Sequence, residues 1–285
     1  MAFCLMKRRM AKEAGGILLR DDPDVDLHIH SNNSDGTFSP SQIVDWAKEK
    51  GLSLISITDH DGIGGLEEGE GAARAAGIDF VNGIEMSTEF RGSVELHILG
   101  YGFDAENVEI LRVCDIMRRS RFERNEKLLA AVRAEGFDIK DEDIPAANAG
   151  YISKPQIARA MIAKGYVKDI PEAFERVFDR PPVCLLKKKK TDAIEAIRII
   201  TGAGGTAVLA HPMRIKNIGK RGTEEMYGHL ERIVAELASH GMGGLECCYA
   251  QHTEEEMRCT RAIAERHGLI STRGSDFHGP GVTAD

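Results

Sequence analysis

The stretch Asp26-Leu27-His28-Ile29-His30-Ser31 constrains this chain more than any other. Leu27 and Ile29 alternate with Asp26, His28 and His30, a period of two that sets the polar three on one face of a strand. Two imidazoles two residues apart on a strand point the same way and can share one ion. An H-x-H pair alone is weak evidence, but further apolar, strand-like runs also lead into ligand-type residues. The first run ends in His28 and His30, followed by Asp35; the second ends in Thr58-Asp59-His60-Asp61 and the third in Gly83-Ile84-Glu85. The fourth carries His97, the fifth leads into Ala210-His211-Pro212, and the last into Gly274-Ser275-Asp276-Phe277-His278.

The apolar runs predict seven strands: Val25–His30, Ser53–Thr58, Phe80–Ile84, Val94–Gly100, Thr206–Ala210, Gly244–Cys248 and Leu269–Ser275. Helix patterns fall between them. Ser39-Pro40-Ser41-Gln42 reads as an N-cap, a proline at the first helical position and a capping-box glutamine, launching Ile43–Lys50. Leu66–Ala76 stops at Gly77, Glu224–Ser239 at Gly241 and Glu254–His267 at Gly268. Alternating strands and helices imply an α/β protein with parallel strands, and seven such units suggest a closed or nearly closed barrel. In a parallel barrel the C-terminal strand ends converge on one face, where catalysis sits. The rhythm breaks between residues 105 and 190, a charged, helical stretch without a convincing strand, expected to be an insertion over the barrel mouth. The organisation expected is therefore an extension at 1–20, held loosely, a barrel from 21–104 and 191–285, and the insertion.

A formal charge of −8 argues against a broad surface for large nucleic acids, though not against a small anionic ligand held by local cations. Six cysteines without a C-x-x-C pair read as reduced thiols of a cytoplasmic protein, and no apolar run approaches membrane-spanning length. His229, His240 and His267 sit within or at the ends of helix patterns and read as ordinary structural histidines. The strand-end set is different: imidazoles with three carboxylates and no thiolate suit Zn, Mn or Fe, and their number implies two or three ions. Clustered ions of this kind make a hydroxide at neutral pH and bind the oxygens of phosphoryl transfer, and could also cleave an amide.

The motifs DLHIHSNNSDG, TDHD, GIE, ELHILGYG, AHP and GSDFHGPG resemble those of the polymerase-and-histidinol-phosphatase (PHP) family of metal-dependent phosphoesterases, from about Asp26 to His278. The resemblance implies a distorted seven-stranded (β/α)7, TIM-like barrel and a trinuclear centre. His28, His30 and Asp276 would hold the first metal, with Glu85 bridging to a second held by His97 and His211. Asp35, His60 and His278 would hold the third. All nine positions carry competent ligands, which favours an active enzyme in which a hydroxide bridging the first two metals attacks phosphorus in line.

The insertion is similar to that of phosphatases acting on 3′,5′-bisphosphonucleotides, and of relatives that open cyclic sugar phosphates or trim RNA from the 5′ end. Their S-R-x-H-x-A segment is met here by Ser153-Lys154-Pro155-Gln156-Ile157-Ala158-Arg159, which implies substrate contacts from Ser153, Lys154 and Arg159 but replaces a bidentate Arg by a point-charge Lys. Arg214, three residues past His211, is a further phosphate ligand candidate, and His252 a candidate for substrate contact or leaving-group protonation. Lys187–Lys190 reads as a solvated charge run, or as a cationic lid. The expectation is a hydrolase acting on a small phosphorylated metabolite, either a nucleoside bisphosphate or a phosphoribose cyclic phosphate. Its rivals are a 5′-to-3′ exoribonuclease on short RNA, a histidinol phosphate phosphatase and a non-catalytic metal-binding domain.

Overall fold

The computed structural model describes residues 13–14, 17–144, 152, 154–186 and 189–280. Strands β1 (Glu13–Ala14) and β2 (Ile17–Leu18) pair antiparallel ahead of the main sheets. A parallel three-stranded sheet follows, β3 (Val25–Ile29), β4 (Leu54–Ile57) and β5 (Asp79–Phe80), in that order. The other sheet has six strands: β6 (Gly83–Phe90), β7 (Val94–Tyr101), β8 (Thr191–Asp192), β9 (Thr206–Leu209), β10 (Gly244–Tyr249) and β11 (Ile270–Gly274). Their spatial order is β11-β10-β9-β7-β6-β8. Isolated parallel bridges join the sheets at both margins, Ile29 with Phe277 and His60 with Glu85. Backbone bonds accompany them, from Asp276 N to His28 O (2.8 Å) and from Asp61 N to Glu85 O (2.9 Å).

The fold is thus mixed α/β, and two expectations change. The strands are not all parallel, because β7 runs antiparallel to both β6 and β9. Only Arg91, Gly92 and Ser93 separate β6 from β7, and a parallel crossover needs a dozen residues or more. The third strand also does not end at Ile84: β6 continues to Phe90, so Glu85 is an interior residue of a long strand.

Helices begin and end where local chemistry directs them. α1 (Pro40–Glu49) carries a complete capping box: Gln42 N donates to Ser39 Oγ (3.2 Å) and Ser39 N to Gln42 Oε1 (2.9 Å). Losing such a cap costs about 1 kcal/mol. α2 (Leu66–Ala76) stops at Gly77, whose φ of 73° suits a residue without Cβ.

The stretch between β7 and β8 contains α3 (Val108–Ala134), α4 (Lys154–Ala163), the short α5 (Ile170–Ala173) and, among the described residues, no strand. From Leu128 onward its apolar side chains, among them Val132, Ile157, Met161 and Phe178, form a core of their own, while Ile110, Val113 and Met117 of α3 join the core against the six-stranded sheet. The larger core lies under α6 (Ala193–Gly202), α7 (Glu224–Ser239) and α8 (Glu254–Arg266), against the six-stranded sheet. Leu19, expected in a loose extension, is instead buried in the same cluster as Leu27 and Tyr101, and Arg20 Nη2 donates to Ser53 Oγ at 2.8 Å. Among the described residues no helix is long and apolar enough to cross a membrane.

Candidate metal centre

Seven segments deliver the candidate ligands to one place. β3 and the residue after it supply His28 and His30, which are fully buried. The following turn brings Asp35, and Asp59 shapes that turn by accepting Ser31 N (2.7 Å), Ser31 Oγ (2.6 Å) and Ser34 Oγ (2.6 Å). His60 follows β4, Glu85 lies in β6, His97 in β7, His211 after β9, and Asp276 and His278 after β11. Trp46 of α1 stacks on Phe277 (4.2 Å, 7°), pinning the segment that carries the last two.

Glu85 is the hub. Its Oε2 lies 3.0 Å from His60 Nδ1, 3.1 Å from His30 Nε2 and 3.3 Å from His28 Nε2. Its Oε1 lies 2.8 Å from His97 Nδ1 and 3.1 Å from His211 Nε2. Asp276 Oδ1 stands 3.1 Å from His30 Nε2 and 3.4 Å from His28 Nε2. His278 Nε2 is 3.3 Å from Asp35 Oδ1, and His60 Nε2 is 3.7 Å from Asp35 Oδ2. All nine predicted ligands are therefore brought together.

The donor atoms fit a cation better than they fit each other. His28 Nε2, His30 Nε2, His60 Nδ1, Asp35 Oδ1 and Glu85 Oε2 are buried without a hydrogen-bond partner, although oppositely charged groups stand close by. Buried polar atoms in folded proteins are almost always paired, so lone pairs converging on shared points mark ion sites. Three groups satisfy ligand spacing: His28, His30, Glu85 and Asp276; His30, Asp35, His60 and His278; and His60, Glu85 and His97. The first contains the ligand set expected for one ion, the second adds His30 to the expected third site, and the last has His60 where His211 was expected.

Supporting groups complete the centre, and sequence reasoning missed several. Glu246, fully buried in β10, accepts His28 Nδ1–H (2.9 Å) through Oε1 and His211 N–H (2.6 Å) through Oε2, so it aims one ligand and anchors another. A lone carboxylate in the apolar run Gly244-Leu245-Glu246-Cys247-Cys248 was the available signal. Tyr249 Oη donates to Asp276 Oδ2 (3.0 Å) and accepts from Arg214 Nη1 (2.9 Å). Asp61 accepts Ser87 N (2.8 Å) and pairs with Arg121 of α3. Four non-glycine residues at the centre hold positive φ: Asp61 (54°), His211 (26°), Asn217 (65°) and Asp276 (56°). Each such conformation costs about 1–3 kcal/mol and persists only where its surroundings enforce it.

A polar cavity of about 480 Å³ opens on His60, Glu85, His97, His211, Asp276 and His278, with Arg214 and Lys216 on its wall. His97 keeps 32% of its side-chain surface exposed whereas His28 and His30 keep none, so the cluster opens to solvent on the His97 side. The predicted substrate residues divide. Arg214 lines this cavity. His252 does not: it is buried, its Nδ1–H donates to Cys247 O (3.1 Å), and its ring packs on Tyr249, which is the residue that reaches Asp276. Lys154 lies over the Phe174 and Phe178 rings (5.9 Å each) within the helical core, and Arg159 has a buried Nη2 without a hydrogen-bond partner. Ser153, Lys187 and Lys188 fall outside the described residues. Lys189 N donates to Ser120 Oγ (2.7 Å), while Lys190 pairs with Glu95 at the cavity rim. His229, as expected of a structural histidine, donates from Nδ1 to Ile218 O (2.8 Å).

Without cations the cluster holds protons. Burial opposes the charge on His30, yet Asp276 and Glu85 outweigh it and raise its pKa to about 10; Glu246, Glu85 and Asp276 likewise hold His28 well above its ordinary value. Burial lowers His60 to about 4, against the pull of Glu85 and Asp35. The stability that His28 and His30 contribute to metal-free protein is complete below their ordinary value of 6.5 and is lost as pH climbs through their folded values. Bound metal ions would replace those protons, since ligand imidazoles are neutral. In calorimetric scans the Tm of chelator-treated protein should therefore fall between pH 6.5 and 9, while that of manganese-loaded protein holds. Parallel curves would contradict this account.

Comparisons with known proteins agree with the geometry. A sequence profile for the PHP domain matches residues 26–242. A 3′,5′-nucleoside bisphosphate phosphatase from Chromobacterium violaceum is 33% identical, over 90% of this chain and 88% of its own length. A 5′-3′ exoribonuclease from Haemophilus influenzae is 29% identical, covering 90% of each. A phosphoribosyl 1,2-cyclic phosphate 1,2-diphosphodiesterase from Eggerthella lenta is 28% identical, over 89% of this chain and 94% of its own. A solved structure from Chromobacterium violaceum, described as an amidohydrolase with bound sulfate and no metal, superposes with a TM-score of 0.80 at 32% identity, over 90% of this chain and 88% of that one. With nine candidate ligands gathered and most of the length matched, the chain belongs to the PHP domain family.

Proposed function

We propose that this PHP hydrolase cleaves a phosphate ester of a small phosphorylated metabolite, a nucleoside bisphosphate or a ribose cyclic phosphate, using two or three manganese, iron or zinc ions. The observation that carries this is the convergence of five imidazoles on Glu85, with unpaired donor atoms, beside a polar cavity walled by Arg214. His28, His30, Glu85 and Asp276 would hold one ion, Glu85, His97 and His211 a second, and Asp35, His60 and His278 a third. Such ions supply Lewis acidity toward phosphoryl oxygens and a nucleophilic hydroxide at neutral pH.

The chain's own groups prepare the site for that chemistry. Glu246 fixes the His28 tautomer that leaves the Nε2 lone pair toward the cluster. Tyr249 occupies Asp276 Oδ2, so Oδ1 stays directed at His28 and His30. The Arg214 guanidinium faces the cavity and neutralises charge on a phosphoryl group there. The buried, unpaired Nη2 of Arg159 supports a second anion contact from the helical stretch. Sulfate bound in the Chromobacterium violaceum structure supports a tetrahedral oxyanion as ligand.

We infer further that the sheets act as one distorted seven-stranded barrel, residues 21–104 and 191–285, capped by 105–190. The two bridges link β3 to β11 and the end of β4 to β6, which supports a ring β3-β4-β6-β7-β9-β10-β11. Cys247 and Cys248, buried and unbridged, support a cytoplasmic enzyme.

The test is inorganic phosphate release with added manganese from a panel of adenosine 3′,5′-bisphosphate, ribose cyclic phosphate, histidinol phosphate and short 5′-phosphorylated RNA. Release from the first or second, abolished by a chelator, is expected. Turnover confined to histidinol phosphate or to RNA, or metal uptake without any release, would replace this reading with the corresponding rival.

A further inference from the structure

A second recess opens beside the metal cluster, and His60 belongs to both. It measures about 600 Å³, within the range of small-molecule sites, and lies between the turn at Gly62 and Gly64 and the outward face of α3. Its character differs from that of the first cavity. Leu111, Cys114 and Phe122 supply apolar walls, and Arg118 and Arg119 stand among them. Residues three, four, seven and eleven apart share a helix face, so Leu111, Asp115, Arg118 and Phe122 project together.

Neither hydrophobic core contains Leu111 or Phe122. Phe122 is 58% exposed and Leu111 48%, on a helix whose outward positions are otherwise mostly charged. Asp115 accepts from Arg118 Nη2 and Arg119 Nη2, 2.8 Å each, so this trio carries one net positive charge; Asp61 on the wall pairs with Arg121, and Glu123 is the remaining carboxylate of the lining. An exposed aromatic ring beside guanidinium planes is the chemistry that stacks a flat heteroaromatic group and holds its negative neighbours. His60 lines both this recess and the cavity at the ligand cluster, which places the two side by side.

We propose that this recess is a nucleobase site, in which Phe122 stacks the base of a substrate whose phosphate lies at the ligand cluster. This rests on the phosphoesterase reading and narrows it: a base-free sugar phosphate would leave the recess empty. The base belongs either to a mononucleotide or to the end of a short RNA, and the two sources share the same stacking chemistry.

The experiment compares manganese-loaded wild type, Phe122→Ala and Phe122→Trp. Calorimetric binding of adenosine 5′-monophosphate should weaken about tenfold in the alanine variant and return in the tryptophan variant. The ratio of kcat/KM for adenosine 3′,5′-bisphosphate to that for ribose 3,5-bisphosphate should fall about tenfold in Phe122→Ala, mostly through KM. A matching loss confined to a short oligoribonucleotide assigns the base to RNA. An unmoved ratio on all substrates, or equal losses with and without a base, overturns the assignment. If wild type releases phosphate from none of them, the phosphoesterase reading fails, and the binding comparison decides the recess: equal affinity of wild type and Phe122→Ala then overturns it.

Discussion

Glu85→Gln protein should purify with little transition metal and release phosphate at least roughly a thousandfold more slowly than wild type. The reason is geometric. Five imidazole nitrogens, from His28, His30, His60, His97 and His211, lie within 3.3 Å of one Glu85 oxygen or the other. Burial alone would protonate this carboxyl, yet the charges of His60, His28 and His97 and the His211 hydrogen bond hold its pKa well below the ordinary range. Glutamine keeps the shape and removes the charge, so the two ion sites proposed to share Glu85 would lose their common anionic ligand. Elemental analysis by mass spectrometry reads the metal and a phosphate-release assay reads the rate. A variant with wild-type metal content and turnover would remove Glu85 from the centre.

Gly274→Ala should lower stability by about 1–3 kcal/mol, about 2–12 °C in Tm, and lose metal as well. Gly274 ends β11, and a Cβ placed there would sit 2.3 Å from Glu246 Oε1 and 2.3 Å from the His28 Cβ. Neither neighbour has room to yield: His28 and Glu246 are fully buried and bonded to each other at 2.9 Å. The added methyl therefore separates a ligand from the carboxylate that aims it, and second-layer losses of that kind weaken metal binding about 10–100-fold. Thermal scans with and without manganese separate the two effects. A variant whose metal affinity is unchanged would mean Glu246 does not control His28.

The nine residues that converge around Glu85 were legible in the sequence because each follows or interrupts an apolar run, a pattern that survives without knowing how the runs pair. Strand direction was not legible. Alternation in Val94–Tyr101 reads the same in either sense, and only the brief Arg91-Gly92-Ser93 link, hidden by an early end assigned to β6, revealed the reversal. Supporting residues were the harder part. Glu246 and Asp59 touch no expected ligand in sequence-local terms beyond the neighbouring His60, and their partners lie 218 and 28 residues away. His252 and Tyr249 show the converse error: both follow or end the same strand, but sequence position does not tell which ring turns toward Asp276. Recesses formed between distant elements, such as the one beside α3, have no local signature.

The first turns of α3 share the sheet's core through Ile110, Val113 and Met117, whereas the helical stretch from Leu128 onward rests on apolar side chains of its own, and Arg121 with Asp61 and Lys190 with Glu95 tie it to the rim. Such a division lets substitutions accumulate in one half without loosening the other. Descendants of this architecture can therefore change what they accept while the bond-breaking apparatus is inherited intact.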